Sequence, residues 1–363
     1  MDKFSSLLRR KFIIDGQQMA VTPYRMLQDC TREGFPEGEN DAEEGQAIDE
    51  TLDLFPSNFV FDSARIPDYL ALTTSRIGFK RAVPPVFAAS FTRGRIAKAL
   101  LDAIWVSGRF TLEDLALKAE WKWNTAPVGQ LASLYASIEA ATSYIDALGL
   151  CFDDYTFTEN PGGRSLVSFK AVDGGNPKLG RKRLCPATLS GDPSSWILYI
   201  PFDPCDFRLG GSTLSEETDA RSSLGPDISD ADYLIDCFEV VREMVEDGVV
   251  LSGATICDGG LLTALQGMCK EDVGASIDIT SIRDAYGELP VRILFAEVPG
   301  VIIQIRDLDF DYVDAELILQ DIAYFPLGHP VPGGGIAVNY NSKSGVAGIL
   351  QSLLTSQASE GED

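Results

Sequence analysis

From residue 68 onward the chain alternates between two spacings of apolar residues. Ile96, Ala99, Leu100, Ala103 and Ile104 recur every three to four positions, which predicts a helix over 95–107. Residues 115–123 then switch to strict alternation. Leu115, Leu117, Ala119, Trp121 and Trp123 face one way and Lys118, Glu120 and Lys122 the other, as in a half-buried strand. Leu131, Leu134, Ile138, Ala141, Ile145 and Leu148 draw a second helical stripe that stops at Gly149. Alternation returns over 164–172, and a further strand is predicted over 196–202. A second block repeats the scheme, with a helix over 230–247 between a Ser229 cap and a Gly248 stop. It continues with a helix over 260–270, a buried strand over 300–306, a helix over 309–319 and a strand over 335–340. The fold class expected is α/β (α+β), in two blocks without a short repeat.

Between and beside these blocks the pattern lapses. The Pro/Gly/Lys-rich stretch 174–193 is the best boundary. The expected division is an N-terminal extension over 1–57, domains over 58–173 and 194–345, the linker 174–193 and a tail over 346–363. Residues 29–53 hold ten acidic residues against one basic, Arg32, with few large apolar side chains, so an open acidic segment is expected. The first twelve residues set Lys3, Arg9, Arg10 and Lys11 among Phe4, Leu7, Leu8 and Phe12. They read as a short targeting segment or as a frayed or docked basic terminus, and Asp2 argues against targeting.

Composition narrows the chemistry. A formal charge of −24 over 363 residues opposes nucleic acid and anionic membrane as partners, and no apolar run approaches the ~20 residues that span a bilayer. The seven cysteines are odd in number, scattered and never in a C-x-x-C pair, which points to a reducing, cytoplasmic setting without disulfides or a zinc site. His329 is the one histidine, so triads and histidine metal sites have little to draw on.

Three segments, in order, then carry a resemblance. The first runs from Arg95 through Trp123, RIAKALLDAIWVSG…LALKAEWKW; the second is FRLGGS at 207–212. The third joins GATICDGGLLTAL at 253–265 to LFAEVPGVIIQI at 294–305. Together they resemble the second synthetase half of phosphoribosylformylglycinamidine synthase, a half similar to aminoimidazole ribonucleotide synthetase. The resemblance covers roughly residues 68–345; none is found to the family's first half or to its glutaminase. It implies an ATP-dependent conversion of an amide to an amidine with glutamine-derived ammonia, and magnesium held against nucleotide phosphates by hard oxygen ligands.

The same resemblance implies that this site is degraded. Lys98 and Asp102 stand where the family has Glu and Asn, and a lysine repels Mg²⁺. Ala254 and Thr255 replace a His and an Asp. In the loop Gly163–Arg164–Ser165, the serine stands where the family has an aspartate, although Arg164 retains a charge suited to an anion. The remaining glycines, Gly210, Gly211, Gly259 and Gly260, suit tight turns, and Asp258 reads as a helix cap. Glu297 reads as a solvated turn residue, Cys257 as a small buried hydrophobe, and Lys178, Arg181, Lys182 and Arg183 as a solvated basic loop. The family's two halves pack through strands like 115–123, which implies that Leu117, Ala119, Trp121 and Trp123 form a face needing a partner. The expectation is a pseudoenzyme without cofactor, working as a structural or regulatory subunit in a homodimer or larger protein complex. The alternative is the second-half subunit of a split synthase, which binds Mg-ATP or Mg-ADP beside a first-half chain.

Overall fold

The computed structural model describes residues 6–31, 48–50, 59–175, 178–180, 182–220 and 224–340. Most of the acidic run 29–53, Arg181 and the tail 346–363 lie outside these residues. The described elements are β1 (Phe12–Ile14), β2 (Gln17–Gln18), α1 (Pro23–Asp29), β3 (Ile48–Glu50), α2 (Ile66–Thr74), α3 (Ala88–Ile104), β4 (Leu115–Trp123) and α4 (Gln130–Ala147). They continue with β5 (Phe152–Glu159), β6 (Leu166–Asp173), β7 (Trp196–Pro201), α5 (Thr213–Glu217), α6 (Ala231–Glu246), β8 (Val250–Ile256) and α7 (Gly260–Met268). The last are β9 (Val273–Asp278), α8 (Thr280–Tyr286), α9 (Pro290–Phe295), β10 (Gly300–Ile305), α10 (Phe310–Leu319), β11 (Phe325–Pro332) and β12 (Ile336–Asn339).

A six-stranded sheet, β12-β9-β11-β7-β10-β8, forms the centre of the molecule. Helices cover both of its faces, so its middle strands are apolar on both sides rather than alternating. Leu198, Ile200, Val301 and Ile303 face one core with α3, α4 and α6. Ile197, Tyr199 and Ile302 face a second core with α2, α7 and α9. Sheet β5-β4-β6 joins the first core, with β4 running parallel to β5 and antiparallel to β6.

β4 begins and ends where the alternation places it, but its apolar face has a different cover from the one expected. Leu117, Trp121 and Trp123 are fully buried and Ala119 nearly so, under α3 and α4 of the same chain. Trp121 packs edge-on to Phe152 and Phe169 and donates its Nε1–H to Ser137 Oγ at 3.1 Å. The face left open carries Lys118, Glu120 and Lys122, beside Asp154, Thr156 and Thr158 on β5 and Ser168 and Lys170 on β6. That open face is polar, and the tryptophan face already has its cover.

One further expectation changes. Asp230, not Ser229, caps α6, its side chain accepting from Tyr233 N at 3.0 Å. The described part of 174–193 is mostly exposed, as the solvated loop was expected to be, and is tied to the body at a few points. Lys178 Nζ pairs with Asp114 at 2.7 Å, and the Arg183 guanidinium lies over Trp105 and donates to Cys185 O. Gln304, fully buried, fastens the end of this stretch through Ser190 and Ser195. At the N-terminus Leu7, Leu8 and Phe12 are buried in the first core, and β1 pairs in parallel with β3 inside the acidic run.

Candidate functional site

A cleft of about 570 Å³ opens where the two blocks meet. One wall is α3 with the polar face of the small sheet, contributing Lys98, Asp102, Glu120 and Lys122. The other is the β8–α7 turn, contributing Thr255, Cys257 and Asp258, and residues 77–81 close one side. The turn forms because Gly259 and Gly260 take φ of 82° and 72°, which only glycine adopts without strain. A Cβ on Gly260 would also lie 2.6 Å from the Phe295 backbone.

An ion cluster fills the floor of this cleft. Arg81, whose side chain is 6% exposed, donates to Asp258 Oδ1 at 2.9 Å, Glu297 Oε2 at 2.6 Å and the Gly211 carbonyl at 2.6 Å, and pairs with Glu216 at 3.1 Å. Arg95 holds Asp258 by both oxygens, at 2.9 Å to Oδ2, and reaches Cys257 Sγ at 3.3 Å. Both guanidiniums lie over the ring of Phe91. Glu297 Oε1 accepts from Thr213 N, Thr213 Oγ1 and Gly259 N at 2.6–2.8 Å. Burial by itself raises the Asp258 carboxyl, but hydrogen bonds and charge from Arg95 and Arg81 outweigh it and hold the group down at about 2. Burial likewise opposes the charge on Arg81, yet Glu297, Glu216 and Asp258 more than offset it and raise its pKa. Burial drives the Cys257 thiol up to about 12 against the pull of Arg95, which favours the neutral thiol.

The residues singled out in the sequence divide into four groups. Lys98, Asp102, Thr255 and Asp258 do meet at the cleft. Lys98 Nζ is paired with Asp102 one turn on, and Thr255 Oγ1 accepts the Trp105 indole N–H at 2.9 Å. Ala254, one residue along the strand, turns to the opposite face of the sheet and packs on the second core. Gly163 and Arg164 sit exposed at the β5–β6 turn. Ser165 is buried there, bonded to Gln130 at 2.7 Å and to Asn124 N, so this loop braces the turn and does not line the cleft. Gly210 and Gly211 border a separate cavity of about 40 Å³ under Phe87. Three expectations are corrected here. Asp258 does not cap α7, whose cap position is Gly259; it is consumed by the two arginines. Glu297 is an anchor, with a side chain 14% exposed, and Cys257 lines the cleft rather than filling core. Arg81 and Glu216 carried no signal in the sequence, because their partners lie 130 or more residues away.

A divalent cation such as Mg²⁺ needs several oxygen donors with free lone pairs. Among the described residues no group of three or more His, Cys, Asp or Glu side chains is placed to hold a metal ion. Asp258 and Glu297 already accept from guanidinium and backbone donors, and Asp102 and Glu120 are paired with Lys98 and Lys122. These residues do not fit Mg²⁺. His329, the lone imidazole, packs at a tilt against Trp196 away from the cleft and meets Ser195 O through Nδ1.

Residues 205–309 match the family model described as AIR synthase related protein, C-terminal domain. The chain is 26% identical over 271 residues to the human phosphoribosylformylglycinamidine synthase, covering 70% of this chain and 19% of that protein. A probable chloroplastic/mitochondrial synthase of Arabidopsis thaliana is 25% identical over 257 residues, covering 66% of this chain and 17% of that one. The chain thus spans about a fifth of the length of the curated relatives it matches. Among solved structures, Thermotoga maritima PurL complexed with FGAR superposes with a TM-score of 0.55 at 13% identity, over 72% of this chain and 41% of that one. The chain carries an AIR-synthase-like fold, and it is similar to an AIR-synthase-like half of phosphoribosylformylglycinamidine synthase.

Proposed function

We propose that this chain is a non-catalytic counterpart of the second synthetase half of phosphoribosylformylglycinamidine synthase, serving as a structural or regulatory subunit of a protein complex. One observation carries the reading: the arginine pair on the cleft floor. A metal-nucleotide site needs carboxylate lone pairs free to meet the cation, and here two guanidiniums from the same chain take them. The same charge balance that magnesium would supply is built in covalently. Lys98 adds a further positive charge on the wall, and Thr255 is engaged by Trp105.

A second reading has its own support. The cleft keeps its volume and is lined by Lys80, Arg95, Lys98 and Lys122, cations suited to an anionic ligand. This favours the subunit of a split, ATP-dependent synthase acting in purine biosynthesis beside a first-half chain. The expected result for the first reading is that the purified chain, given ATP, magnesium and ammonia, forms no amidine above a protein-free control. Product that scales with the amount of protein would contradict it.

A further inference from the structure

Helix α10 is apolar on two faces. Val313 and Leu317 are buried against the first core. On the other side Tyr312, Ile318 and Leu319 are 41, 62 and 75% exposed, Ala315 between them is exposed as well, and Leu308 in the turn leading into the helix is 78% exposed. The spacing from 308 to 312, 315 and 319 stacks these positions into one stripe along the helix. Single exposed apolar residues are ordinary, but a contiguous stripe on a surface helix is the kind of feature that binding explains.

The rim of the stripe is acidic. Asp311 and Glu316 stand on α10, which carries no basic residue, and Glu243 and Asp247 come from the neighbouring end of α6. The Tyr312 hydroxyl lies in the field of Glu316, Glu243 and Asp247. We infer that this stripe is the docking surface for a cationic amphipathic helix of a partner protein, its apolar side laid on Leu308, Tyr312 and Leu319 and its lysines or arginines meeting the rim. A second copy of this chain fits poorly, since pairing like surfaces sets acidic rim against acidic rim on a chain of formal charge −24. The chain's own basic stretch is already spent, because Leu7, Leu8 and Phe12 are buried in the core. The apolar stretch 344–355 carries no charge to meet the rim. The inference deepens the subunit reading and rests on it for the existence of a partner; nucleotide binding at the cleft is measured separately, so either can fail alone.

The test uses the full chain and two fluorescent synthetic helices with the same leucine stripe, one filled out with lysine and one with glutamate. Anisotropy at about 150 mM salt, where exposed charges more than ~8 Å apart are largely screened, is expected to show saturable binding of the lysine peptide alone. Ile318→Asp with Leu319→Asp should weaken it at least tenfold, and Glu243→Lys with Asp247→Lys should do the same. Leu289→Asp, at an exposed apolar residue elsewhere, should leave it unchanged. All variants are surface changes, and unaltered thermal melts confirm their folding. Equal binding by wild type and the Ile318/Leu319 variant overturns the proposal, as does absence of binding. A dimer that this variant dissociates would make a second copy the occupant. Binding that appears only after removal of residues 341–363 would make the tail the occupant. Either result overturns the proposal too.

Discussion

Arg81→Ala is expected to lower the unfolding free energy by about 3–5 kcal/mol, the usual cost of removing one member of a buried ion cluster. The guanidinium is the only described group that joins Glu216, Asp258 and Glu297 at once, and it ties the segment before α3 to α5, to the β8–α7 turn and to the strand entry at β10. Without it three carboxylates face one another with Arg95 alone to answer them. Urea unfolding gives the magnitude, and its pH dependence gives the mechanism. Carboxylates left unpaired gain protons more readily folded than unfolded, so their folded pKa values rise above the unfolded ones. The deficit should then shrink as pH falls toward ~4. Arg81→Lys, which keeps the charge and loses the fork, should recover part of the loss. A loss under about 1 kcal/mol, or one independent of pH, would show that the cluster is a surface feature.

Trp121→Ala is expected to cost about 3–5 kcal/mol, because a fully buried indole leaves a cavity that the flanking strands cannot close. Ser137 and Thr92 keep each other as hydrogen-bond partners, so the loss is one of packing. The measurement separates a core from an interface. Ala119→Glu, one pleat away, should likewise lower the stability of the single chain and leave the mass in light scattering unchanged. A protein whose assembly breaks at unaltered single-chain stability would put β4 at a subunit boundary instead.

The β4 result shows where sequence reasoning succeeds and stops. Alternation over 115–123 is a local property, so the strand and its apolar side could be read residue by residue. What covers that side is α4, whose register against Trp121 no local pattern states, and the resemblance to a two-half enzyme supplied the wrong cover. The helix stripes behaved like the alternation: α4, α6 and α10 fall within two residues of their periodic limits. No alternation announces strand β8, because Ser252, Gly253 and Thr255 interrupt its apolar run, each for a tertiary reason. Ser252 bonds Gln304, a Cβ on Gly253 would strike Trp105 at 2.3 Å, and Thr255 accepts from that same indole. The candidate site was half legible for a related cause. Motif positions Lys98, Thr255 and Asp258 led to the cleft, while Arg81, Glu216 and the role of Glu297 arise from contacts across 80 to 220 residues of chain.

Arg81 and Arg95 engage the carboxylates of the cleft floor. Under the non-catalytic reading proposed above they leave none free for a metal ion, and a thermal melt with nucleotide reads this out. A ligand present at 100 times its Kd stabilises the folded state by about 2.7 kcal/mol, a shift that is easily resolved. Lysines on the wall permit a metal-independent shift, so magnesium dependence is the discriminating variable. With millimolar ADP or ATP the predicted melting temperature is the same with magnesium as with chelator. A saturable stabilisation at micromolar nucleotide that requires magnesium would contradict the account and would give the split-synthase reading the lead.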